Sequence, residues 1–391
     1  MKKILFIPTY TYLSSPIFTH LLPKLKEYET IYLDVEDQYH CERTSDEFKK
    51  QFEKSITLSM LAKNKTFIDN IIKFFKMVHY QNRLRKYISS ESPSAIVTTS
   101  DLTFSIRIIK KYFPNIPIFV IQPALFSNRG ASSTFFHEIA SFFTKFMNVP
   151  LVSKQNYFGQ EFDNISLLLW GEYFQNMLPN KKNIHIVGDI TFDNFPIEKN
   201  DEAKKELLEE TGYALDSKVI TICTSVLENF TGKETIDDLY EIYKNLIINR
   251  KNLFFIIKPH PRNDTKELRN IFTSLEVDNC VVVNTNLHEL FKYTDVHIST
   301  FSRTAIEAVA SNIPVISVNP SNEIKLEDFL NNELNEKVTN LQEMYDKIDD
   351  IIKNRDDYLA LGEQYIEDKL YKLDGKSAQR AAEIIKREIE L

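Results

Sequence analysis

The fold class is set by the stretch His297-Ile-Ser-Thr-Phe-Ser-Arg-Thr-Ala-Ile-Glu307-Ala-Val-Ala-Ser-Asn-Ile-Pro-Val-Ile-Ser-Val318. It opens with an apolar strand, continues through small hydroxyl residues into a helical pattern, and ends with a second apolar strand at residues 314–318. A strand, a helix and a second strand in this order are typical of a βαβ unit, in which both strands lie parallel in one sheet. The stretch therefore predicts an α/β fold.

The start of this predicted helix is suited to an anion. Backbone N–H groups in a first helical turn have no partner within the helix, and the helix dipole adds positive potential there. We therefore expect a phosphate beside Ser299, Thr300, Ser302 and Arg303. Glu307, further along the helix, is placed to accept hydrogen bonds from ribose hydroxyls. The alternative is that Ser302 only caps the helix and Glu307 is a solvated surface residue.

A second stretch carries positive charge to the end of a strand. Leu253-Phe-Phe-Ile-Ile-Lys-Pro-His-Pro-Arg262 is an unbroken apolar run that ends in Lys258, His260 and Arg262. Buried parallel strands have this pattern, and open α/β sheets bind ligands beyond the carboxyl ends of their strands. These three side chains suit a negatively charged leaving group, although a histidine after a strand is also found as a simple turn residue.

Composition excludes several classes of protein. The chain has 391 residues, which indicates two domains. Its net charge is −7 and no basic block stands out, so we expect no nucleic-acid partner. Glycine occurs only 8 times, and neither a Walker motif nor G-x-G-x-x-G is present. A phosphate site in this chain is therefore not expected to be a glycine-rich loop.

The cysteines and the apolar runs bear on location. Cys41, Cys223 and Cys280 are far apart, which predicts reduced thiols and neither a disulfide framework nor a zinc site. The apolar run at the start is short and is interrupted by Pro8, so it predicts a first strand and not a signal peptide. No run reaches the ~20 apolar residues of a membrane helix. We expect a cytoplasmic protein, with a peripheral position on the inner membrane face as a further expectation.

Apolar strands alternate with helical patterns in both halves of the chain. Strands are predicted at residues 3–7, 30–34, 95–98, 117–121, 166–169, 184–187, 219–223, 253–258, 280–283, 296–298 and 314–318, and helices at 67–87, 104–112, 234–250 and 304–310. We expect two Rossmann-like parallel-sheet domains, 1–196 and 197–374, facing a central cleft. A last helix, 375–391, is expected to pack back on the first domain.

Several motifs carry a resemblance to a known group. They are Val120-Ile-Gln122, Leu168-Leu-Trp-Gly-Glu172, Ile186-Val-Gly-Asp-Ile-Thr-Phe-Asp193, Lys258-Pro-His-Pro261, residues 299–307, and Leu373-Asp-Gly-Lys-Ser-Ala-Gln-Arg380. Their order, from about residue 95 onward, resembles the GT-B-fold enzymes of bacterial surface-polysaccharide assembly. This group includes CDP-glycerol glycerophosphotransferase-like proteins, capsule glycosyltransferases and some sialyltransferases.

The resemblance implies a metal-independent glycosyltransferase. It would use a CMP-, CDP- or UDP-linked sugar as donor, would need no other cofactor, and would act on a glycan or lipid-linked acceptor. No convincing Asp-x-Asp metal motif follows a strand, so no metal site is expected. Resemblance to the sialyltransferases implies that His260 and either Ser299 or Ser302 contact the donor phosphate. Lys258 or Arg303 would help to balance its charge.

Candidates for the acceptor side lie in the first half. Asp101, at the end of a predicted strand, is the expected general base, because a base must lie near the proton it removes. The alternative is that Asp101 caps the helix at 104–112. Gln122 and Glu138 are also expected on the acceptor side, and Glu138 and Asp189 are weaker candidates for the base. The aromatic segment 132–157 is either an acceptor platform, a membrane-resting face or a core-packed helix.

Three other functions remain open. A polyol-phosphate transferase of the CDP-glycerol type would use the same cleft. A UDP-N-acetylglucosamine 2-epimerase-like enzyme is implied by Thr98-Thr-Ser-Asp101-Leu-Thr-Phe-Ser105, which is similar to the segment that holds that family's catalytic aspartate. Pro-Thr-Tyr-Thr-Tyr after the first strand and Ser-Thr-Phe-Ser at 299–302 depart from the epimerase pattern. The third function is non-catalytic carbohydrate binding.

Overall fold

The chain forms two compact units. The computed structural model describes residues 1–9, 11–36, 44–59, 67–124, 158–159, 162, 164–178, 182–225, 231–260, 263–300, 302–320 and 338–390. The first unit is Met1–Asp193 together with Lys369–Leu391, and the second is Asn194–Asp368. The predictions for Cys41, for Glu138 and for the aromatic segment 132–157 concern residues outside the described parts.

The first unit is built on a parallel sheet of seven strands in the order β3-β2-β1-β4-β5-β6-β7. The strands are β1 (Lys3–Ile7), β2 (Glu29–Glu36), β3 (Lys54–Ser59), β4 (Ala95–Thr98), β5 (Ile118–Ile121), β6 (Ser166–Leu169) and β7 (Ile184–Ile186). The described helices between them are α1 (Thr11–Leu21), α2 (Asp46–Lys49), α3 (Phe67–Glu91), α4 (Phe104–Tyr112) and α5 (Glu172–Asn176). Short 3-10 turns lie at Leu22–Lys24 and, after β7, at Ile190–Phe192.

The second unit has a parallel sheet of five strands in the order β10-β9-β8-β11-β12. These strands are β8 (Lys218–Cys223), β9 (Leu253–Lys258), β10 (Cys280–Val282), β11 (Val296–Ser299) and β12 (Val315–Ser317). The helices are α6 (Asp201–Glu210), α7 (Lys233–Asn249), α8 (Thr265–Thr273), α9 (Leu287–Phe291), α10 (Arg303–Ala310), α11 (Leu341–Lys353) and α12 (Arg355–Leu370). The predicted α/β fold with two parallel sheets is confirmed.

The last helix, α13 (Ser377–Glu390), belongs to the first unit. Its apolar face is buried in the same core as β1 and α1, through the side chains of Ala378, Ala381, Ala382, Ile385 and Ile389. This face repeats at the helical period, so one stripe of α13 enters the core and the opposite face stays in solvent. The predicted packing of the C-terminal helix on the first domain is confirmed.

Asp193 joins α13 to the segment after β7. Its carboxylate accepts hydrogen bonds from the backbone N–H groups of Ser377 and Ala378, both at 2.8 Å. Gly188 lies close by with φ +87, and a Cβ there would stand 2.6 Å from Oγ of Ser377. The Nε group of Arg380 donates to the carbonyl of Val187 at 2.8 Å. The motif at 186–193 and the motif at 373–380 thus contact each other, and these contacts have a structural role.

Candidate functional site

The candidate site lies at the carboxyl edge of the five-stranded sheet. The chain builds β8 first, adds β9 and β10 on one side of it, and then returns to place β11 and β12 on the other side. The order of strands therefore reverses between β8 and β11. Open α/β sheets bind ligands outside the carboxyl ends of their strands at such a reversal, because the two flanking connections leave in opposite directions.

The two predicted phosphate-binding segments meet at this edge. In the sheet register Lys258 at the end of β9 pairs with Cys223 of β8, and Cys223 pairs in turn with Ser299 of β11. Neighbouring strands lie ~4.8 Å apart, which puts the backbones of Lys258 and Ser299 about 10 Å from each other. The strand end that carries Lys258 and His260 and the strand end that leads to α10 are thus brought together on one sheet.

Ser302 is the N-cap of α10. Its hydroxyl accepts the backbone N–H of Thr304 at 3.2 Å and the hydroxyl of Thr304 at 3.0 Å. Nε2 of His297 lies 3.1 Å from the same Thr304 hydroxyl. Ser302 therefore caps the helix, and capping fixes the direction in which the start of α10 points.

Ser299 and Thr300 are almost completely covered. Among the described residues the hydroxyl of Ser299 has no hydrogen-bond partner, and the side chain is 0% exposed. Thr300 is 1% exposed, its carbonyl accepts the hydroxyl of Ser225 at 2.7 Å, and its own hydroxyl lies 3.4 Å from that of Tyr243. A ligand at the strand end therefore meets the Ser299 hydroxyl only if the atoms that cover it move.

Glu307 is a paired carboxylate. One oxygen accepts Nε–H of Arg303 at 3.2 Å, and the other lies 3.3 Å from Nε2 of His288. The Glu307 side chain is 18% exposed, while that of His288 is 42% exposed. Glu307 is therefore not the freely solvated residue of the alternative interpretation, and its two oxygens are held from two helices, α9 and α10.

The turn after β9 is tied to the neighbouring strand. The backbone N–H of His260 donates to the hydroxyl of Thr224 at 3.0 Å, and that hydroxyl donates to the side-chain carbonyl of Asn263 at 2.7 Å. The backbone N–H of Asn263 donates to the carbonyl of His260 at 2.9 Å. The half-buried His260 thus sits in a fixed turn next to the end of β8. Arg262 lies outside the described residues.

Burial shifts the pKa values of two groups in the site, Cys223 and His297. Burial raises the pKa of the Cys223 thiol to about 12; the charge of Lys258 and a hydrogen bond with Thr304 oppose this rise, and the charge of Glu307 adds to it. Lys258, Thr304 and Glu307 therefore all act on one thiol. Burial lowers the pKa of His297 to about 3, so its imidazole is neutral near pH 7. Neither Cys223 nor His297 supplies charge to the site.

Asp101 lies in the first unit, just beyond β4. It is 0% exposed, and Oδ1 accepts the backbone N–H of Gly159 at 2.9 Å. The N-cap of α4 is Thr103, whose hydroxyl accepts the N–H of Ile106 at 3.3 Å. The helix-cap alternative for Asp101 is therefore wrong. Its described hydrogen bond ties the backbone of Gly159 to the residues that follow β4.

Gln122 and Asp189 also make internal contacts. The side-chain carbonyl of Gln122 accepts the backbone N–H of Trp170 at 3.1 Å, and its amide donates to the carbonyl of Ala124 at 3.2 Å. Asp189 accepts both the N–H and the hydroxyl of Thr191, at 3.0 and 2.8 Å. Both side chains are buried and hold loop ends in place.

The sequence interpretation missed several polar residues near these edges. In the first unit a hydroxyl cluster joins the ends of β1 and β4, with the Ser14 and Thr99 oxygens 2.7 Å apart and Thr99 donating to Thr9 at 3.1 Å. In the second unit His288 and Thr304 contact predicted site residues. The only sequence signal for the cluster was a run of hydroxyl residues after β1. Thr99, just beyond the end of β4, is 90 positions away from Thr9, so the sequence does not show that the two meet.

The described residues contain neither a metal-binding cluster nor a membrane-spanning helix. No group of three or more His, Cys, Asp and Glu side chains in these parts of the chain is arranged to hold a metal ion. Within the same ranges no helix combines the length and the apolar character that crossing a bilayer requires.

Solved enzymes share the fold of the chain. A UDP-GlcNAc 2-epimerase from Neisseria meningitidis bound to UDP-GlcNAc has a TM-score of 0.60 at 13% identity, covering 99% of this chain and 100% of that one. A glycosyltransferase from Rickettsia africae ESF-5 has a TM-score of 0.61 at 14% identity, with 100% and 99% covered. The wall teichoic acid polymerase TagF, soaked with CDPG, has a TM-score of 0.56 at 14% identity, with 100% and 89% covered.

These likenesses establish the fold. At identities of 13–14% the chain shares with the three enzymes the GT-B fold, which consists of two Rossmann-like α/β units. No protein-family model matches the sequence, and no curated protein matches it either. What the chain binds and does has to be argued from its own residues.

Proposed function

We propose that the chain is a glycosyltransferase that moves a sugar from a nucleotide-linked donor to a glycan or lipid-linked acceptor in the assembly of a bacterial surface polysaccharide. The observation that carries the proposal is the meeting of Lys258 and His260 with the start of α10 at one edge of the second sheet. Cationic side chains and a helix start at one place favour a phosphate.

The proposed chemistry uses positive potential at the leaving group. The bond between the anomeric carbon and the donor phosphate breaks, and its electron pair leaves with the phosphate. The acceptor oxygen bonds to the anomeric carbon, and its proton passes to a base. Lys258, His260 and Arg303 would stabilise the charge that accumulates on the phosphate, which is the task of preorganised donors in such a step. We propose that no metal and no further cofactor is needed.

Glu307 is the proposed ribose contact. Its oxygens are held by Arg303 of α10 and His288 of α9, so the carboxylate has a defined orientation before a ligand arrives. A carboxylate can accept a hydrogen bond from each of two vicinal hydroxyls. The bound UDP-GlcNAc of the epimerase neighbour and the CDPG soak of the polymerase support the choice of nucleotide-linked donors for testing.

A titration tests the donor site. Calorimetry with CMP, CDP and UDP is expected to show binding of at least one nucleotide to the unaltered protein. His260→Ala and Lys258→Ala should each weaken it by about ten- to a hundredfold, since a hydrogen bond to a charged group is worth about 1.5–3 kcal/mol. Lys266→Ala is the matched control, because Lys266 is an exposed lysine on the neighbouring helix α8. Absence of binding by all three nucleotides would remove the proposal.

Asp101 as the general base needs a separate test. A base must reach the acceptor hydroxyl, whereas the described Asp101 carboxylate is covered and bound to Gly159. Asp101→Asn keeps the shape and one acceptor oxygen. A base predicts a loss of kcat of about 10²-fold or more with the melting temperature retained. A structural carboxylate predicts a lower melting temperature, with kcat of the folded fraction preserved.

A polyol-phosphate transferase is the second candidate, favoured by the likeness to TagF. It would bind the same donor phosphates but would transfer a phosphate to the acceptor together with the polyol. Mass spectrometry of the product separates the two candidates, because only this reaction forms a phosphodiester. An epimerase would change the donor without any acceptor, which proton NMR of the donor alone would reveal.

A further inference from the structure

The imidazole of His288, which contacts Glu307, also packs against an aromatic ring. The ring of Phe195 packs edge-on against the imidazole of His288, with 5.0 Å between the ring centroids and 85° between the planes. Phe195 is buried, at 6% exposure. Nε2 of the same imidazole reaches Glu307. Phe195, His288 and Glu307, from separate parts of the chain, thus make successive contacts that end at the carboxylate proposed to bind the ribose.

The segment that carries Phe195 is fastened to α9. The second unit begins at Asn194, so Phe195 lies next to the boundary between the units. Further along, the ammonium of Lys199 donates to the carbonyls of Phe291 and Thr294, and the N–H of Asn200 donates to the carbonyl of Lys292 at 2.8 Å. These hydrogen bonds hold the end of α9 against the segment that carries Phe195. His288 lies in the first turn of the same helix.

We propose that His288 is a positioning residue that orients the Glu307 carboxylate for the ribose hydroxyls, and that Phe195 fixes the imidazole for this task. The ribose part rests on the proposed function. Arg303 holds one Glu307 oxygen from the same helix, and His288 holds the other from α9. A carboxylate fixed at both oxygens has one orientation, and a group held within a small angular range loses little freedom when a ligand binds.

The contact itself is tested first, without any ligand. The imidazole carbon–proton signals of His288 are recorded by NMR in the unaltered protein, in Glu307→Gln and in Phe195→Leu. Both substitutions are expected to shift these signals, because one removes a carboxylate and the other an aromatic ring from the imidazole. Unmoved signals in both variants would overturn the proposal, whatever the protein binds.

The positioning role is tested by a ratio of affinities. Those of CMP, CDP and UDP that bind are compared with their 2′,3′-dideoxy forms by calorimetry. The unaltered protein should bind the ribose form at least about tenfold more tightly, as expected for hydrogen bonds to a charged acceptor. In His288→Ala this preference should fall below about threefold, and His288→Gln, which retains an N–H donor, should restore most of it. Glu289→Gln, an exposed change on the same helix, serves as the matched control.

These measurements distinguish a loss of structural support from a loss of the positioning role and from a failure of the proposed function. A variant that binds both forms more weakly but keeps the preference has lost only structural support, and the positioning role is then wrong. Failure of the unaltered protein to bind CMP, CDP and UDP sinks the proposed function and the ribose role with it, while the NMR comparison still reports the contact between the three side chains.

Discussion

Asp193 and Ser377 are joined by a hydrogen bond of 2.8 Å between the Asp193 carboxylate and the Ser377 backbone N–H, across 184 positions of sequence. The carboxylate therefore caps the start of α13 from outside that helix. A carboxylate at a helix N-terminus satisfies unpaired N–H groups and interacts favourably with the dipole. This contact fixes the start of α13 to the segment after β7.

Replacing Asp193 with Ala should loosen α13 locally. Loss of a helix cap costs about 0.5–2 kcal/mol, so amide hydrogen exchange across residues 377–390 should accelerate by about 2- to 30-fold. Mass spectrometry of peptides measures this, with peptides of α10 as an internal reference. Glu206→Gln, an exposed carboxylate within α6, should leave exchange unchanged. Equal protection of α13 in Asp193→Ala and the unaltered protein would contradict the capping role.

Gly171 is expected to tolerate no side chain. A Cβ at this position would lie 2.3 Å from the carbonyl oxygen of Lys369, and the backbone φ of −162° is one that any residue adopts. The effect of Gly171→Ala is therefore due to close approach alone. Overpacking of this kind costs about 1–3 kcal/mol and should lower the urea midpoint.

The control for that change is Gly232→Ala. None of the described residues lies within 4 Å of a Cβ at Gly232, so the two variants add the same methyl group in different surroundings. If both variants have the same midpoint, the packing of residue 171 against the chain at Lys369 has no energetic consequence.

His297 should make the protein acid-sensitive. Burial lowers its pKa from 6.5 to about 3 in the folded state, so between these values the unfolded chain binds more protons than the folded one. Stability attributable to His297 is therefore complete above pH 6.5 and is lost as the pH falls toward 3. The slope approaches about 1.4 kcal/mol per pH unit.

Urea midpoints at several pH values measure this effect. His297→Gln keeps a donor for Thr304 and does not titrate, so its stability should fall less between pH 6.5 and 5 than that of the unaltered protein. His79→Gln, at an exposed position on α3, should retain the original slope. Parallel pH dependences for His297→Gln and the unaltered protein would show that the imidazole is not buried neutral.

Thr224 should matter for turnover without touching the donor. Its hydroxyl accepts the N–H of His260 and donates to Asn263, and Thr224→Val removes both bonds while keeping the shape. Misplacement of a catalytic group by ~1 Å costs up to about 10²-fold, so kcat should drop by roughly tenfold or more. Thr265→Val, at the start of α8, is a control of the same chemistry outside this turn. Unchanged kcat in Thr224→Val would show that the turn needs no such support.

Much of the architecture follows from apolar periodicity. Each of the eleven predicted strands is present, because buried parallel strands are continuous apolar runs. The strand Lys54–Ser59 was missed, since it lies at the sheet edge and is mostly exposed, with only Leu58 buried. Helix α1 contains Pro16, which a sequence pattern takes as a helix breaker although the fold accommodates it here.

The predicted site residues are placed less completely by sequence. Strand ends could be predicted, so Lys258 and Ser299 were correctly expected near a sheet edge, and register then brings them together. The burial of Ser299 could not be predicted. Its sequence position at a strand end suggests an accessible hydroxyl, whereas the side chain is fully covered in the fold. His288 was missed because its contact with Glu307 depends on how α9 and α10 pack, which neither helix encodes alone.

The return of α13 to the first core has a consequence for how the chain is made. The strands of the first unit are synthesised early. The apolar stripe of α13, which includes Ala381 and Ile385, is synthesised only after the whole second unit. Until then the surface that receives α13 is exposed, and the nascent chain has an open apolar groove of the kind that chaperones bind. Translation arrested after residue 368 would leave that groove permanently uncovered.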